Sequence, residues 1–158
     1  MAEKSKKKKA PKRKVTRAGA MRKADAAFSM YIRTRDSQEY GCEQFRCISC
    51  GKVFPIDKAD AGHYVNRSHA ALRFSEENVH AQCRRCNRFD EGNIIGYRKG
   101  LLDKIGEHRL AYIEGNEHEP CRLGLKELLR IAEYYTEKTA EFEYQISKNG
   151  DKTNEDEK

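Results

Sequence analysis

The chain has 158 residues, 32 Lys or Arg against 25 Asp or Glu, and only 37% hydrophobic residues, which suits one small domain with a modest core. No stretch approaches the ~18 consecutive apolar residues of a membrane helix, and the lysine-rich start has no apolar run behind it, unlike a secretory leader. The expected setting is a reducing cytoplasm, where cysteines serve metals rather than disulfides.

Residues 1–23 carry eleven Lys or Arg against one Glu, leaving 21 basic against 24 acidic residues in the remainder. Lys6, Lys7, Lys8, Lys9, Lys12, Arg13 and Lys14 are interrupted by almost nothing apolar, so a disordered basic arm is predicted over 1–23. Such an arm binds phosphate backbones through counterion release, without reading sequence. A solubilising tail or a nuclear address is the plainer alternative.

The folded part is expected over 24–147. Phe28, Tyr31, Ile32 and Arg35 fall at helical spacing and predict a first helix over Ala24–Asp36. Gly41 breaks it, and Phe45–Phe54 carries the first cysteine pair on a tight turn at Gly51. Short strands are predicted at Ala61–Val65 and Val79–Gln82, with a loop between them. A helix begins near Cys83, and Asn87 is turned about 100° from Cys86 so that it can face the strands. Two further helices are expected: Ile94–Ile113, loosened by Gly96, Gly100 and Gly106, and Leu123–Ile146. The broad apolar face of the latter suits core packing ahead of a dimer interface. The polar residues 148–158 predict a frayed, disordered tail.

Cys47-x-x-Cys50 and Cys83-x-x-Cys86 lie 32 residues apart. Each pair can turn two thiolates toward one ion, and together they supply the four-sulfur tetrahedron of structural zinc. Cys42 and Cys121 have no such partner and are left outside the metal site. With a small core, metal binding would contribute directly to folding.

The order Cys47-x-x-Cys50, Gly62-His63-Tyr64, Asn78, Cys83-x-x-Cys86-Asn87 resembles the HNH endonucleases. The resemblance implies an α+β fold: a small treble-clef or ββα-metal core with a four-cysteine zinc site, flanked by one N-terminal and two C-terminal helices. It further implies His63 as general base, Asn78 as the brace of the loop that orients it, and Asn87 as a catalytic metal ligand. A neutral imidazole can take the proton of an attacking water, and oxygen ligands from Asp60 and Asn87 suit Mg2+ or Mn2+. Many relatives carry the acidic ligand immediately before the histidine, where Gly62 stands here. Arg67, Arg73, Arg84, Arg85 and Arg88 flank the site in sequence, and their guanidinium forks match phosphate oxygens. The plainer readings are a satisfied core histidine, a turn asparagine, a helix-surface amide and solvated arginines.

A narrower resemblance rests on Phe28-Ser-Met-Tyr-Ile-Arg33-Thr-Arg-Asp36, Asp60-Ala-Gly-His63-Tyr64, Arg67-Ser-His69, Arg73-Phe74 and Glu77-Asn78-Val-His80-Ala-Gln-Cys83-x-x-Cys86-Asn87-Arg88-Phe89. These segments, spanning 24–147, are similar to the NinG or Rap proteins of lambda-like phages. That resemblance implies a recombination endonuclease acting on branched DNA, such as Holliday junctions and D-loops, in the bacterial cytoplasm. Symmetric cutting of a four-way junction implies a homodimer. The lysine-rich arm and Asp90-Glu91 depart from the pattern. Two other functions stay open: an HNH nuclease for nicking or packaging without branch selectivity, and a non-catalytic zinc protein that binds DNA.

Overall fold

The computed structural model describes the backbone of residues 14–152 and the side chains of 14–146 and 148. Thr16 accepts the Gly19 N–H at 3.1 Å and caps a helix, α1, that runs over Arg17–Ser37. The helix therefore starts seven residues before the predicted Ala24 and takes in 17–23, the end of the expected arm. Its buried stripe is Ala20, Ala24, Phe28, Tyr31 and Ile32, one helical face continued downward by two alanines. Arg17 and Lys23 lie on the outer surface. Within the basic arm the described residues begin at Lys14; Lys6, Lys7, Lys8, Lys9, Lys12 and Arg13 lie outside them.

Two antiparallel hairpins come next. In the first, β1 (Gln44–Arg46) pairs with β2 (Val53–Pro55), with Phe45 opposite Phe54, and the cysteine turn closes it. Gly51 bends back at φ +68, donating to the Cys47 carbonyl at 2.9 Å. In the second, β3 (Ala59–His63) pairs with β4 (Val79–Cys83), Ala59 opposite Cys83 and His63 opposite Val79. β3 starts two residues before the predicted strand and stops at His63, because the Val65 N–H is taken by the Asn78 side chain.

Cys86 and Asn87 sit on a short π-helical turn, Arg85–Phe89. Glu91, Gly92 and Asn93 then take positive φ values of 49, 83 and 42 and redirect the chain. The predicted helix Ile94–Ile113 is two helices, α2 (Ile94–Ile105) and α3 (Glu107–Gly115), broken where Gly106 adopts φ 81, ψ 165. Gly96 and Gly100 do not loosen α2. A β-carbon at either would run into the carbonyls of Ser49 and Ile48, so they let α2 lie directly on the backbone of the cysteine turn. The last helix, α4, spans Leu125–Lys152 and so extends through part of the predicted frayed tail. Among the described residues, three α-helices, not two, thus come after the hairpins.

α4 lies against α1. Leu128 packs on Ala20 and Ala24, while Tyr135 and Phe142 meet Phe28, Tyr31 and Ile32. Phe28 and Tyr135 are 4.7 Å apart ring to ring, and Tyr31 and Phe142 stack at 5.7 Å. Burial of each such ring is worth about 1.5–3 kcal/mol. Val79 and Ala61 join this layer, which ties the hairpin to the helices. Among the described residues no helix is long and apolar enough to cross a membrane.

Candidate functional site

The two cysteine pairs arrive from different hairpins: Cys47 and Cys50 from the β1–β2 turn, Cys83 from the end of β4 and Cys86 from the π turn. Their four sulfurs lie within 4.8 Å of one another, a cluster compatible with a zinc site. Cys47, Cys83 and Cys86 are buried among Phe45, Ala59 and Ala81. The Cys83 N–H donates to Cys47 Sγ at 3.3 Å and the Asn93 amide to Cys86 Sγ at 3.4 Å, contacts that favour thiolates. Burial pushes the free Cys83 thiol up to about 12, a cost that a bound dication removes. Cys42 is half-buried and Cys121 exposed, both outside the cluster.

One strand away, Asp60 points from β3 toward the π turn. Its Oδ2 accepts from Asn87 Nδ2 at 3.0 Å, and both oxygens take the Arg88 guanidinium at 2.7 and 2.6 Å. Partial burial opposes ionisation of Asp60, but Arg88 and Asn87 outweigh it and hold the carboxyl below its ordinary range. The two residues expected to bind a catalytic cation are therefore in contact, with a side chain of 55% exposure, Arg88, supplying the positive charge.

Gly62 has a steric reason to be glycine. A β-carbon there would overlap Gln82 Oε1 and lie 2.9 Å from Gln82 Cβ. Gln82 cannot move aside, since its amide donates to Ser49 Oγ at 2.7 Å and to the Gly92 carbonyl at 2.6 Å. No acidic side chain fits immediately before His63. Asp60, two residues back, is the next position on the same strand face.

His63 closes β3 on the opposite face from Asp60. Its Nε2 lies 3.0 Å from the Arg73 carbonyl. A carbonyl can only accept, so Nε2 carries the proton and Nδ1 keeps the basic lone pair. Burial, together with the charges of Arg73 and Arg67, holds the imidazole below its ordinary pKa. Asn78 is fully buried and braces the loop that supplies this carbonyl: Oδ1 accepts from the Val65 N–H at 2.8 Å, and Nδ2 donates to the carbonyls of Val65 and Leu72 at 3.0 and 3.1 Å. Among the described residues no hydrogen bond joins His63 to Asp60 or Asn87.

The five arginines differ in what they can offer. Arg73 donates from Nε and Nη2 to the two Asp25 oxygens, at 2.9 and 2.7 Å, and from Nη1 to the Arg67 carbonyl, so its fork is already filled. Arg84 donates to the Asp57 carbonyl at 2.8 Å. Arg85 is 84% exposed with a loose contact to Asp90 at 3.4 Å, and Arg67 is exposed.

Three supporting groups have roles that the motifs do not reveal. Tyr97, fully buried on α2, accepts the His80 N–H at 2.9 Å and donates to the Gly62 carbonyl at 2.7 Å, inserting a hydroxyl between the strands. Its only trace in the sequence is an aromatic one turn into a helix. Asp36 accepts from Arg35, Lys104 and the Ala81 N–H at 2.9, 2.8 and 2.7 Å. Burial would raise its pKa, but His80 and Arg35 drive it well below the carboxylate range. His80, buried against Asp36 and Arg35, has a pKa lowered by that burial. It belongs to this bracing network rather than to solvent.

The family model described as Bacteriophage Lambda NinG protein matches residues 1–144. The chain is 36% identical over 119 residues to protein ninG of Escherichia phage lambda, covering 75% of this chain and 54% of that protein. Against protein ninG of Salmonella phage P22 it is 35% identical over 119 residues, covering 75% of this chain and 55% of the other. The chain spans about half the length of the curated relatives it matches. No solved structure gives a significant match. By this match, which takes in the cysteine cluster, Asp60, His63 and Asn87, the chain belongs to the NinG family of lambda-like phage proteins.

Proposed function

We propose that this protein is a metal-dependent HNH-type endonuclease that cuts branched DNA in phage recombination, acting as a homodimer. The observation that carries the reading is the contact between Asp60 and Asn87 beside a four-cysteine cluster, on the hairpin that ends in His63. A structural zinc in the cysteine cluster would hold the π turn against β3 and so keep Asn87 on Asp60.

Hydrolysis of a phosphodiester needs a base for the attacking water. His63 is suited to it: the imidazole is neutral at physiological pH, and its Nε2–H is anchored so that Nδ1 takes the proton. Mg2+ or Mn2+ at the Asp60 carboxylate and the Asn87 amide oxygen would stabilise negative charge on the phosphate and the leaving oxygen. Arg88 would have to leave Asp60 for that, and its exposed side chain can turn to a phosphate instead. Asp60 and His63 are three residues apart, about 10 Å of strand, and on opposite faces. For both to act at one phosphodiester, the His63 imidazole and the Asp60–Asn87 pair would have to be drawn together around the bound DNA. Arg67, Arg84, Arg85 and the N-terminal lysines would hold the flanking backbone.

The test is Mg2+-dependent cleavage of a four-way junction and of linear duplex by the wild type and His63→Ala. Cutting of the junction by the wild type and not by the variant supports the reading. Equal cutting by both removes His63 as base, and equal cutting of junction and duplex by the wild type favours a general nicking enzyme.

A further inference from the structure

A second group of metal-binding side chains lies away from the cysteines. His69, on the loop between β3 and β4, meets Glu117 and His118, on the turn after α3, with one ligand atom of each within 4.8 Å of the others. The two segments are already packed together, since Val65 and Leu72 bury against Ile113 at the end of α3. The turn is itself fixed, with the Asn116 N–H donating to Tyr112 and Ile113 carbonyls and Glu119 N–H to Asn116.

The orientation of the His69 ring is set by its neighbours. Nδ1 lies 2.8 Å from the Glu117 carbonyl and must donate to it, which leaves the lone pair on Nε2. Nε2 lies 3.6 Å from Glu117 Oε1, a separation that one shared cation can bridge. A backbone carbonyl that fixes the far nitrogen of an imidazole is the usual support of a metal-ligating histidine. We propose that His69 Nε2, the Glu117 carboxylate and the His118 imidazole form a second cation site, for a borderline divalent ion such as Zn2+, Co2+ or Ni2+. Two imidazoles and one carboxylate suit those ions better than Mg2+ or Ca2+, and three protein ligands leave a position for water. Bound there, the ion fastens the loop that carries the Arg73 carbonyl to the end of α3. This site does not depend on the nuclease reading.

The experiment uses the full chain loaded with zinc, dialysed against metal-free buffer and titrated with Co2+. The expected wild-type result is one further equivalent whose visible bands lack thiolate-to-cobalt charge transfer. His118→Ala and Glu117→Gln, both at accessible positions, should keep the circular dichroism of the wild type and weaken this binding at least ~tenfold. No cobalt uptake by the wild type, uptake equal in the variants, or a spectrum showing cobalt on thiolates alone would overturn the proposal.

Discussion

At the Ala59–Cys83 end of the second hairpin, the strands are held by sulfurs from two hairpins gathered within 4.8 Å. At the His63–Val79 end they are held by ordinary protein chemistry: Asn78 with three buried hydrogen bonds, the Tyr97 hydroxyl between the strands, and aromatic packing from α1 and α4. With the proposed zinc in place, one end would depend on something outside the chain and the other would not. The residues proposed for the metal, Asp60 and Asn87, belong to the first end, and the proposed base to the second. The two halves of the chemistry should therefore fail under different treatments.

The largest effect is expected at the sulfur end. Structural zinc contributes on the order of 10 kcal/mol at neutral pH, comparable with the whole stability of a small domain. Cys83→Ser, or a strong chelator, should abolish the cooperative thermal transition followed by circular dichroism. A variant that melts at the wild-type midpoint would show that both ends are held alike. His63→Ala acts at the other end and should separate chemistry from folding. Removing a general base costs about 10²–10⁴ in rate, whereas the lost hydrogen bond to Arg73 is worth only about 1 kcal/mol. Junction cleavage in single turnover, beside a urea titration, reads both numbers.

Asn78→Ala comes next, and it sharpens the comparison because Asn78 touches neither cysteines nor Asp60. It leaves the buried Val65 N–H without its acceptor and two carbonyls without their donor, a loss of about 2–4 kcal/mol. The loop that holds the Arg73 carbonyl should loosen with it. Zinc content should stay at the wild-type value, and a drop would mean that the two ends are coupled.

How much of the fold and site is legible in the sequence divides the same way. A tetrahedral ion needs ligands at fixed spacing, so Cys47, Cys50, Cys83 and Cys86 announce themselves. Short-range geometry also places Asn87 toward β3, where it meets Asp60. The early start of α1 is hidden because its buried stripe there is only Ala20 and Ala24, set among charged residues that suggest an arm. Gly96 and Gly100 look like helix breakers, yet they mark where α2 touches the cysteine turn, a contact that local propensity cannot express. Gly62 looks like a missing ligand until Gln82 is seen filling its space. Tyr97 and Asp36 act across 17 to 68 residues of sequence, and no motif carries such a distance.

The pH dependence tests the base end alone. The folded pKa of His63 is lowered by burial, whereas the unfolded chain titrates near the ordinary value of about 6.5. Between those two values the unfolded state binds more protons, so this group's contribution to stability is intact above about 6.5 and is lost as the pH falls toward the folded value. His80, also lowered by burial, acts in the same direction. Cleavage should keep its plateau below 6.5 and decline only as the folded His63 protonates. A decline centred at 6.5 or above would show that the imidazole is solvated, or paired with an acid, when the proposed reaction takes place.

The smallest effect is expected from Arg85→Ala. The side chain is 84% exposed and its contact with Asp90 at 3.4 Å is loose, so stability should change by less than about 0.5 kcal/mol. If Arg85 contacts one phosphate, binding should weaken uniformly across DNA sequences, and the slope of log affinity against log salt should fall by about one. Arg73→Ala gives the contrast, because its fork is already occupied by Asp25. That change should lower stability and leave the salt slope alone. The pair separates arginines that meet DNA from those that only build the loop beneath His63, and a salt slope that fell for Arg73→Ala instead would reverse the assignment.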